Sequence, residues 1–269
     1  MNEIRLRHDG PVARILIDNP ARRNAISRAM WRALPALVAQ AIGAAATRVL
    51  TVQSSVDGYF CAGADIAEFE STYRDPEESR RANAEIQAAV RALAAVPVPT
   101  LALIDGACVG GGVSLALACD IRLASDRASF AVTPARLGLS YHPDDIARLA
   151  TACGHPGAAE LLFTGKPWPA ARARESGLVN QALAREGFEA ACAGMTAAIA
   201  GNSLDALRAM KEGLRAIQGG DVDALAQSAG RFEALFDGRD FREGRDAFLQ
   251  KRAAVFPSHF SSHIDAELP

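Results

Sequence analysis

The chain reads as an α/β protein with a largely parallel sheet, and three observations predict it. Through the first two-thirds, short apolar runs of strand length alternate with helical patterns that carry their apolar residues on one face. Aromatic residues make up only 6% of a composition that is 49% hydrophobic, so the core must be built from aliphatic side chains and many alanines. That bias suits close-packed helices better than a β-sandwich, whose strands favour β-branched and aromatic residues. Beyond about Gly154 the helical period takes over, with Leu178–Gln181 the one strand-like run.

Taken in order, the elements follow from local chemistry. Val12 to Asp18 is a short apolar strand ended by Asn19-Pro20. Ser27 is placed to cap a helix whose Met30, Leu34, Leu37, Val38 and Ala41 fall on one face. Arg48 to Gln53 is a second strand, and Val56-Asp57-Gly58 is a turn signal. A polar stretch from Ser71 to Ser79 leads into a helix that packs through Ile86, Val90 and Leu93 and ends near Pro97. Thr100 to Ile104 is fully apolar, as a buried parallel strand must be. Three glycines then precede a short apolar helix over Val113–Cys119 and another strand over Ile121–Ala124. The remaining helices are expected at 156–163, 169–176, 188–200, 204–217, 222–236 and 242–251. We divide the chain into an α/β core over residues 1–200 and a helical region over 201–269; no linker separates them, so they should pack as one unit.

With 269 residues there is enough chain for a sizeable core, which excludes a disordered or disulfide-stapled protein. The net charge of −2 gives no basic excess for wrapping nucleic acid. The five cysteines (Cys61, Cys108, Cys119, Cys153, Cys192) lack metal-ligand spacing, so they read as reduced thiols and no metal is expected. Neither a signal-peptide core after Met1-Asn2 nor an 18-residue apolar stretch is present. These features predict a cytoplasmic protein without a membrane span.

The run Gly110-Gly111-Gly112 lies between a strand and a helix, where glycine lets a ligand approach the backbone and free amides can meet negative charge. It has neither the dinucleotide GxGxxG spacing nor the GK[ST] of a P-loop, and Ser114 does not complete a GxSxG elbow. A tight helix–strand contact explains such glycines equally well. A second small-residue segment, Phe60-Cys61-Ala62-Gly63-Ala64-Asp65-Ile66, follows a strand and a turn and again leaves backbone N–H groups uncovered.

Together these two segments resemble the halves of the oxyanion hole in the crotonase, or enoyl-CoA hydratase/isomerase, superfamily. The resemblance runs along nearly the whole chain through Asn24-Ala25, Asp105-Gly106, Ala118-Cys119-Asp120, Leu162-Phe163-Thr164-Gly165, Ala173…Gly177-Leu178-Val179 and Phe248–Arg252. It implies the crotonase fold, a repeated ββα core with a helical C-terminal trimerisation region. It also implies an acyl-CoA substrate, no separate cofactor, and a homotrimer or a hexamer built from two trimers. By match, the amides of Ala64 and Gly111 would hold the thioester oxygen as an enolate forms. Arg22, Arg23 and Ala25 would lie near the CoA nucleotide, Ala62, Asp65 and Ile66 would bound adenine and pantetheine, and Lys251 and Arg252 would reach phosphates, in some members those of a neighbouring subunit.

The pattern breaks where hydratases of this family place two glutamates around one water. The matching positions here are Ser114 and Pro134, and neither can act as a general base at neutral pH. Two-carboxylate hydration is therefore not expected. Thr133-Pro134…Leu137-Gly138…Tyr141 partly resembles the methylmalonyl-CoA decarboxylase branch, although Ala64 stands where that branch has histidine. His142 occupies the position of a working aspartate in other members, which makes Tyr141 and His142 the candidate acid/base or hydrogen-bonding groups and Ser114 a third. Plainer readings stand beside these: Tyr141 bonded to a backbone carbonyl, His142 solvated, Ser114 bonded back to its own helix, and Asp144 or Asp145 capping the helix through Leu149.

Overall fold

The computed structural model describes residues 3–69, 72 and 74–256. The start of the polar stretch at Ser71, the first two residues, and the end of the proposed helical region beyond residue 256 lie outside the described residues.

The chain opens with an antiparallel hairpin of β1 (Glu3–Asp9) and β2 (Val12–Asp18). β1 is a strand that the apolar pattern does not announce, because only Ile4 of its residues is buried. α1 (Arg28–Gly43) follows, with the Ser27 side chain accepting from the Met30 amide at 3.3 Å, as the capping pattern predicts.

A unit of two strands and a helix then repeats. β3 (Val49–Ser54), β4 (Tyr59–Cys61) and α2 (Pro76–Ala94) form the first copy, and β5 (Thr100–Ile104), β6 (Ala107–Val109) and α3 (Gly111–Ala118) the second. β7 (Ile121–Ser125), β8 (Ser129–Ala131) and α4 (Pro143–Thr164) form the third. In each copy the first strand joins one sheet and the second strand joins another. Completed by β9 (Trp168–Pro169), α5 (Ala170–Glu175) and β10 (Gln181–Leu183), the described sheets run β1-β2-β3-β5-β7-β10 and β4-β6-β8-β9. From β2 to β10 the larger sheet is parallel. α1, α2 and α3 pack on it through Trp31, Leu34, Val90, Leu93 and Leu115, all essentially inaccessible.

Of the boundaries that differ from the sequence reading, three have a clear local cause. The helix expected at Val113 begins at Gly111, because Gly110 takes a left-handed φ of 51° and turns the chain directly into it. The strand expected at Leu178–Gln181 is displaced to Gln181–Leu183; Leu178 and Val179 are buried in the preceding turn, and pairing with β7 starts only at Gln181. The helix expected from Pro156 is the second half of α4, which breaks at Cys153 and Gly154, where Gly154 has φ 70° and ψ 165°.

The helices α6 (Arg185–Ala200), α7 (Leu204–Gly219), α8 (Val222–Ala234) and α9 (Arg239–Leu249) complete the described chain. α7 is tied to the core by Lys211, which is only 5% exposed and donates to the Val98 carbonyl at 2.7 Å and Asp120 at 2.6 Å. Asp120 in turn accepts from the amide and hydroxyl of Thr100 at the start of β5. Removing Asp120 would leave the buried Lys211 ammonium uncompensated, so this contact joins the helical region to the sheet. No described helix is long and apolar enough to cross a membrane.

Candidate active site

Two turns meet beside α1. The first lies after β4, where the Ile26 amide donates to the Gly63 carbonyl at 2.7 Å and the Asp65 amide to the Ile26 carbonyl at 3.1 Å. These two bonds bracket Ala64 and leave its own amide unused. The second is the β6–α3 turn, where the Gly110 carbonyl accepts from Val113 at 2.9 Å and Ser114 at 3.1 Å. Among the described residues, neither the Ala64 nor the Gly111 amide donates a hydrogen bond. The two are neighbours in space. A methyl built on Gly111 would lie 3.6 Å from the Ala64 nitrogen, and one built on Gly63 would lie 3.4 Å from the Gly111 nitrogen. Close packing enforces this approach at Gly112, where a methyl would lie 2.6 Å from the Cys61 carbonyl oxygen and 2.8 Å from the Cys61 Cβ. The small residues singled out in the sequence are thus required by the proximity of α3 and β4.

A small cavity opens at Ala64 between Ile26, Trp31, Phe69, Ala82 and Ile86. Trp31 is 1% exposed, its ring edge lies 3.0 Å from the position of a Gly111 methyl, and its indole nitrogen has no partner among the described residues. A larger cleft of about 400 Å³, between the sheet and α6, is lined by Arg14, Asp57, Arg185 and Glu189 and by neither glycine turn. Its mixed charges give no recognisable reacting pair, whereas the glycine turns bring unpaired donors together.

Behind the second turn lies a polar cluster that crosses three elements. Ser114, 2% exposed on the first turn of α3, has its hydroxyl 2.7 Å from the Tyr141 hydroxyl and 3.0 Å from Asp145 Oδ2. The Tyr141 hydroxyl is also 3.0 Å from the Gly110 carbonyl oxygen. Asp145 is 2% exposed and is held by Arg148 at 3.0 Å and by Gln87 of α2 at 3.4 Å. Burial, and then the Asp145 charge, push the Tyr141 phenol well above its ordinary value, so it is neutral.

These contacts correct three readings of the sequence. Ser114 does not bond back to its own helix through its side chain; it reaches Tyr141 and Asp145, because α4 packs against that face. Neither Asp144 nor Asp145 caps α4. His142 does, its Nδ1 accepting from the Asp144 amide at 3.2 Å, since Pro143 sits at the first helical position and leaves His142 in an extended conformation. Asp145 turns inward instead. The signal for this was its place one turn before Leu149, which is buried on the same face. Tyr141 does meet a backbone carbonyl, that of Gly110.

The remaining residues matched from the resemblance divide into two groups. Arg22 and Arg23 lie on the loop after β2, and neither forms an ion pair among the described residues; Arg23 stands 5.9 Å over the Tyr59 ring. Their loop is held by buried Asn24, which accepts from the Asn19 amide at 2.8 Å and reaches the carbonyls of Ile17 and Tyr59. Ala25 is buried, Ala62 is half-buried and Ile66 is exposed, while Asp65 accepts from the Ala67 amide at 3.0 Å. Lys251 and Arg252 form the second group, at the end of α9. Arg252 is paired with both oxygens of Glu243, at 2.6 and 2.8 Å, and is not joined to the glycine turns by any bond among the described residues.

The ββα repeats, with one strand of each in either sheet, define the crotonase class of α/β protein. A family model described as enoyl-CoA hydratase/isomerase matches residues 7–259, and the chain belongs to that family. The mouse mitochondrial enoyl-CoA hydratase domain-containing protein 2 is 36% identical over 250 residues, covering 91% of this chain and 84% of that protein. An enoyl-CoA hydratase/isomerase family protein from Hyphomonas neptunium superposes with a TM-score of 0.91 at 38% identity, covering 95% of this chain and 98% of the other. An enoyl-CoA hydratase from Bacillus anthracis superposes with a TM-score of 0.89 at 29% identity, over 96% of this chain and all of the other.

Proposed function

We propose that this protein is an acyl-CoA enzyme that forms a thioester enolate between the amides of Ala64 and Gly111. The observation that carries the reading is the pairing of those two unspent amides at adjoining turns. Each well-placed donor of this kind is worth about 10²–10³ in rate, because it meets charge that develops only in the transition state. Arg22 and Arg23, which have no carboxylate partner among the described residues, would meet the CoA phosphates. Ala62, Asp65 and Ile66 would border the nucleotide and pantetheine, beside Ala25. Lys251 and Arg252 would serve a phosphate across a subunit boundary in a homotrimer or a dimer of trimers. Exposed Met210, Leu214 and Ile217 of α7, with Phe248 and Leu249 at the end of α9, give that assembly apolar surface to cover.

The reaction is not two-carboxylate hydration. Ser114 and Pro134 stand at the two glutamate positions, and a hydroxyl and an imino acid do not activate water. Loss of CO₂ from a malonyl-type thioester suits the site better, since it needs a stabilised enolate and no paired carboxylates. All five cysteines are free, which fits the proposed reducing, cytoplasmic setting. The test is a panel of crotonyl-, malonyl- and methylmalonyl-CoA followed by mass spectrometry in deuterated water, scoring water gain, CO₂ loss and isotope uptake together. CO₂ loss with slow hydration is expected; rapid hydration of crotonyl-CoA would sink the decarboxylation preference. Binding of all three without any reaction or exchange would make this a CoA-binding protein and not an enzyme.

A further inference from the structure

The cluster behind the second turn has more oxygen contacts than an ionised Asp145 can fill. Three gaps lie in series: Asp145 to Ser114 at 3.0 Å, Ser114 to Tyr141 at 2.7 Å, and Tyr141 to the Gly110 carbonyl at 3.0 Å. Each hydrogen bond needs one proton. With Asp145 ionised, Ser114 and Tyr141 supply only two. Tyr141 then donates to Ser114 and Ser114 to Asp145, and the Gly110 carbonyl keeps only its two backbone donors, Val113 and Ser114. With one proton on Asp145 the direction reverses. The carboxyl donates to Ser114, Ser114 to Tyr141, and Tyr141 to Gly110, so that all three gaps are filled.

The end of this series matters because the Gly110 carbonyl and the Gly111 N–H belong to one peptide unit. A donor on the carbonyl polarises the amide on the other side and holds its plane. We propose that Asp145, Ser114 and Tyr141 form a one-proton relay that positions and strengthens the Gly111 donor, with Asp145 as the positioning residue. The inference rests on the reading of Ala64 and Gly111 as enolate donors. No bond beyond these O–H exchanges forms or breaks; the third proton of the series is the one that Asp145 carries as a neutral carboxyl.

The charged and titratable groups around the relay come from every element packed on it. Arg148 and Asp144 lie on α4 and Arg91 on α2, with Arg91 3.9 Å from Asp144, while Gln87 of α2 adds a neutral donor to Asp145. Cys108 of β6 adds its influence to Tyr141 from below the turn.

The test uses Tyr141→Phe, Ser114→Ala and Asp145→Asn, each checked for its melting temperature, with cinnamoyl-CoA as the probe. A thioester carbonyl pulled between two N–H donors shifts the absorption of the conjugated chain to longer wavelength. We expect a clear red shift with the wild type, reduced by half or more in Tyr141→Phe. Cinnamoyl-CoA affinity should change less than threefold, and turnover on the substrate found in the panel should fall 10- to 100-fold. Asp145→Asn, whose amide can donate to Ser114 as the neutral carboxyl does, should keep the red shift, and Ser114→Ala, which breaks the series, should reduce it as Tyr141→Phe does even if the asparagine variant does not fold. A wild-type red shift that persists undiminished in Tyr141→Phe and Ser114→Ala overturns the relay alone. Bound cinnamoyl-CoA without any red shift in the wild type overturns the enolate reading itself.

Discussion

Gly112→Ala is the substitution most sharply constrained by the packing of α3 on β4. The new methyl would lie 2.8 Å from the Cys61 Cβ and 2.6 Å from its carbonyl oxygen. Carbon pairs settle at about 3.5–4.0 Å, so the helix start and the strand end must part by about 0.7 Å or more. Overpacking of that size costs about 1–3 kcal/mol. The same movement carries Gly111 away from Ala64, and a displacement of about 1 Å at a reacting centre can cost about 100-fold. Denaturant midpoints at fixed protein concentration should therefore fall by the equivalent of about 1–3 kcal/mol, with unchanged slope. Turnover should drop 10- to 100-fold. Adding Cys61→Ala should not restore either quantity, because the two closest contacts are to the Cys61 backbone and Cβ, and only the 3.2 Å contact is to sulfur. Stability within about 0.5 kcal/mol of wild type, or full rescue by Cys61→Ala, would refute the reasoning.

Four other outcomes follow from the same geometry. Gly111→Ala puts a methyl 3.6 Å from the Ala64 nitrogen, into the space between the two donors, and 3.0 Å from the buried Trp31 ring, so kinetics should show turnover lost and the melting temperature should fall as well. Trp31→Phe removes an unpaired buried donor at the cost of ring volume, terms of opposite sign; its stability should stay within about 1–2 kcal/mol of wild type, while a chain-length series should reveal an altered acyl preference. His142→Ala loses the α4 cap and should cost about 0.5–2 kcal/mol in denaturant melts with turnover preserved; a tenfold fall in turnover would return His142 to the chemistry. Glu85, bonded to Arg28 and Arg32, is held down to about 2 from its ordinary 4.5. A depressed acid stabilises the fold above its unfolded pKa and loses that contribution as pH falls, so between pH 4.5 and about 2 the wild type should lose more melting temperature than Glu85→Gln.

The parallel strands were legible in the sequence because β5 is buried along its whole length and apolar after Thr100, while β3 and β7 each carry a buried, mostly apolar stretch. β1 was not, because Arg5, Arg7 and His8 place polar side chains on a strand that pairs only through β2. The glycine turns were visible as motifs, since the backbone conformation at Gly110 and the contact at Gly112 admit only small residues there. The relay was hidden for a different reason. Ser114 and Asp145 are 31 positions apart and meet only when α4 is laid against α3, so neither residue type nor spacing could announce the pair.

A site assembled from main-chain donors has a consequence for how it would be found by mutation. Ala64 is already alanine, and trimming side chains elsewhere leaves both N–H groups in place, so an alanine scan would say nothing of the Ala64 donor and would report on Gly111 only through the methyl it adds. The scan would instead light up its supports, such as Asn24 and Asp145, and draw attention to the wrong atoms. An amide-to-ester exchange at Gly111, which deletes one proton donor and alters no side chain, addresses the donor itself.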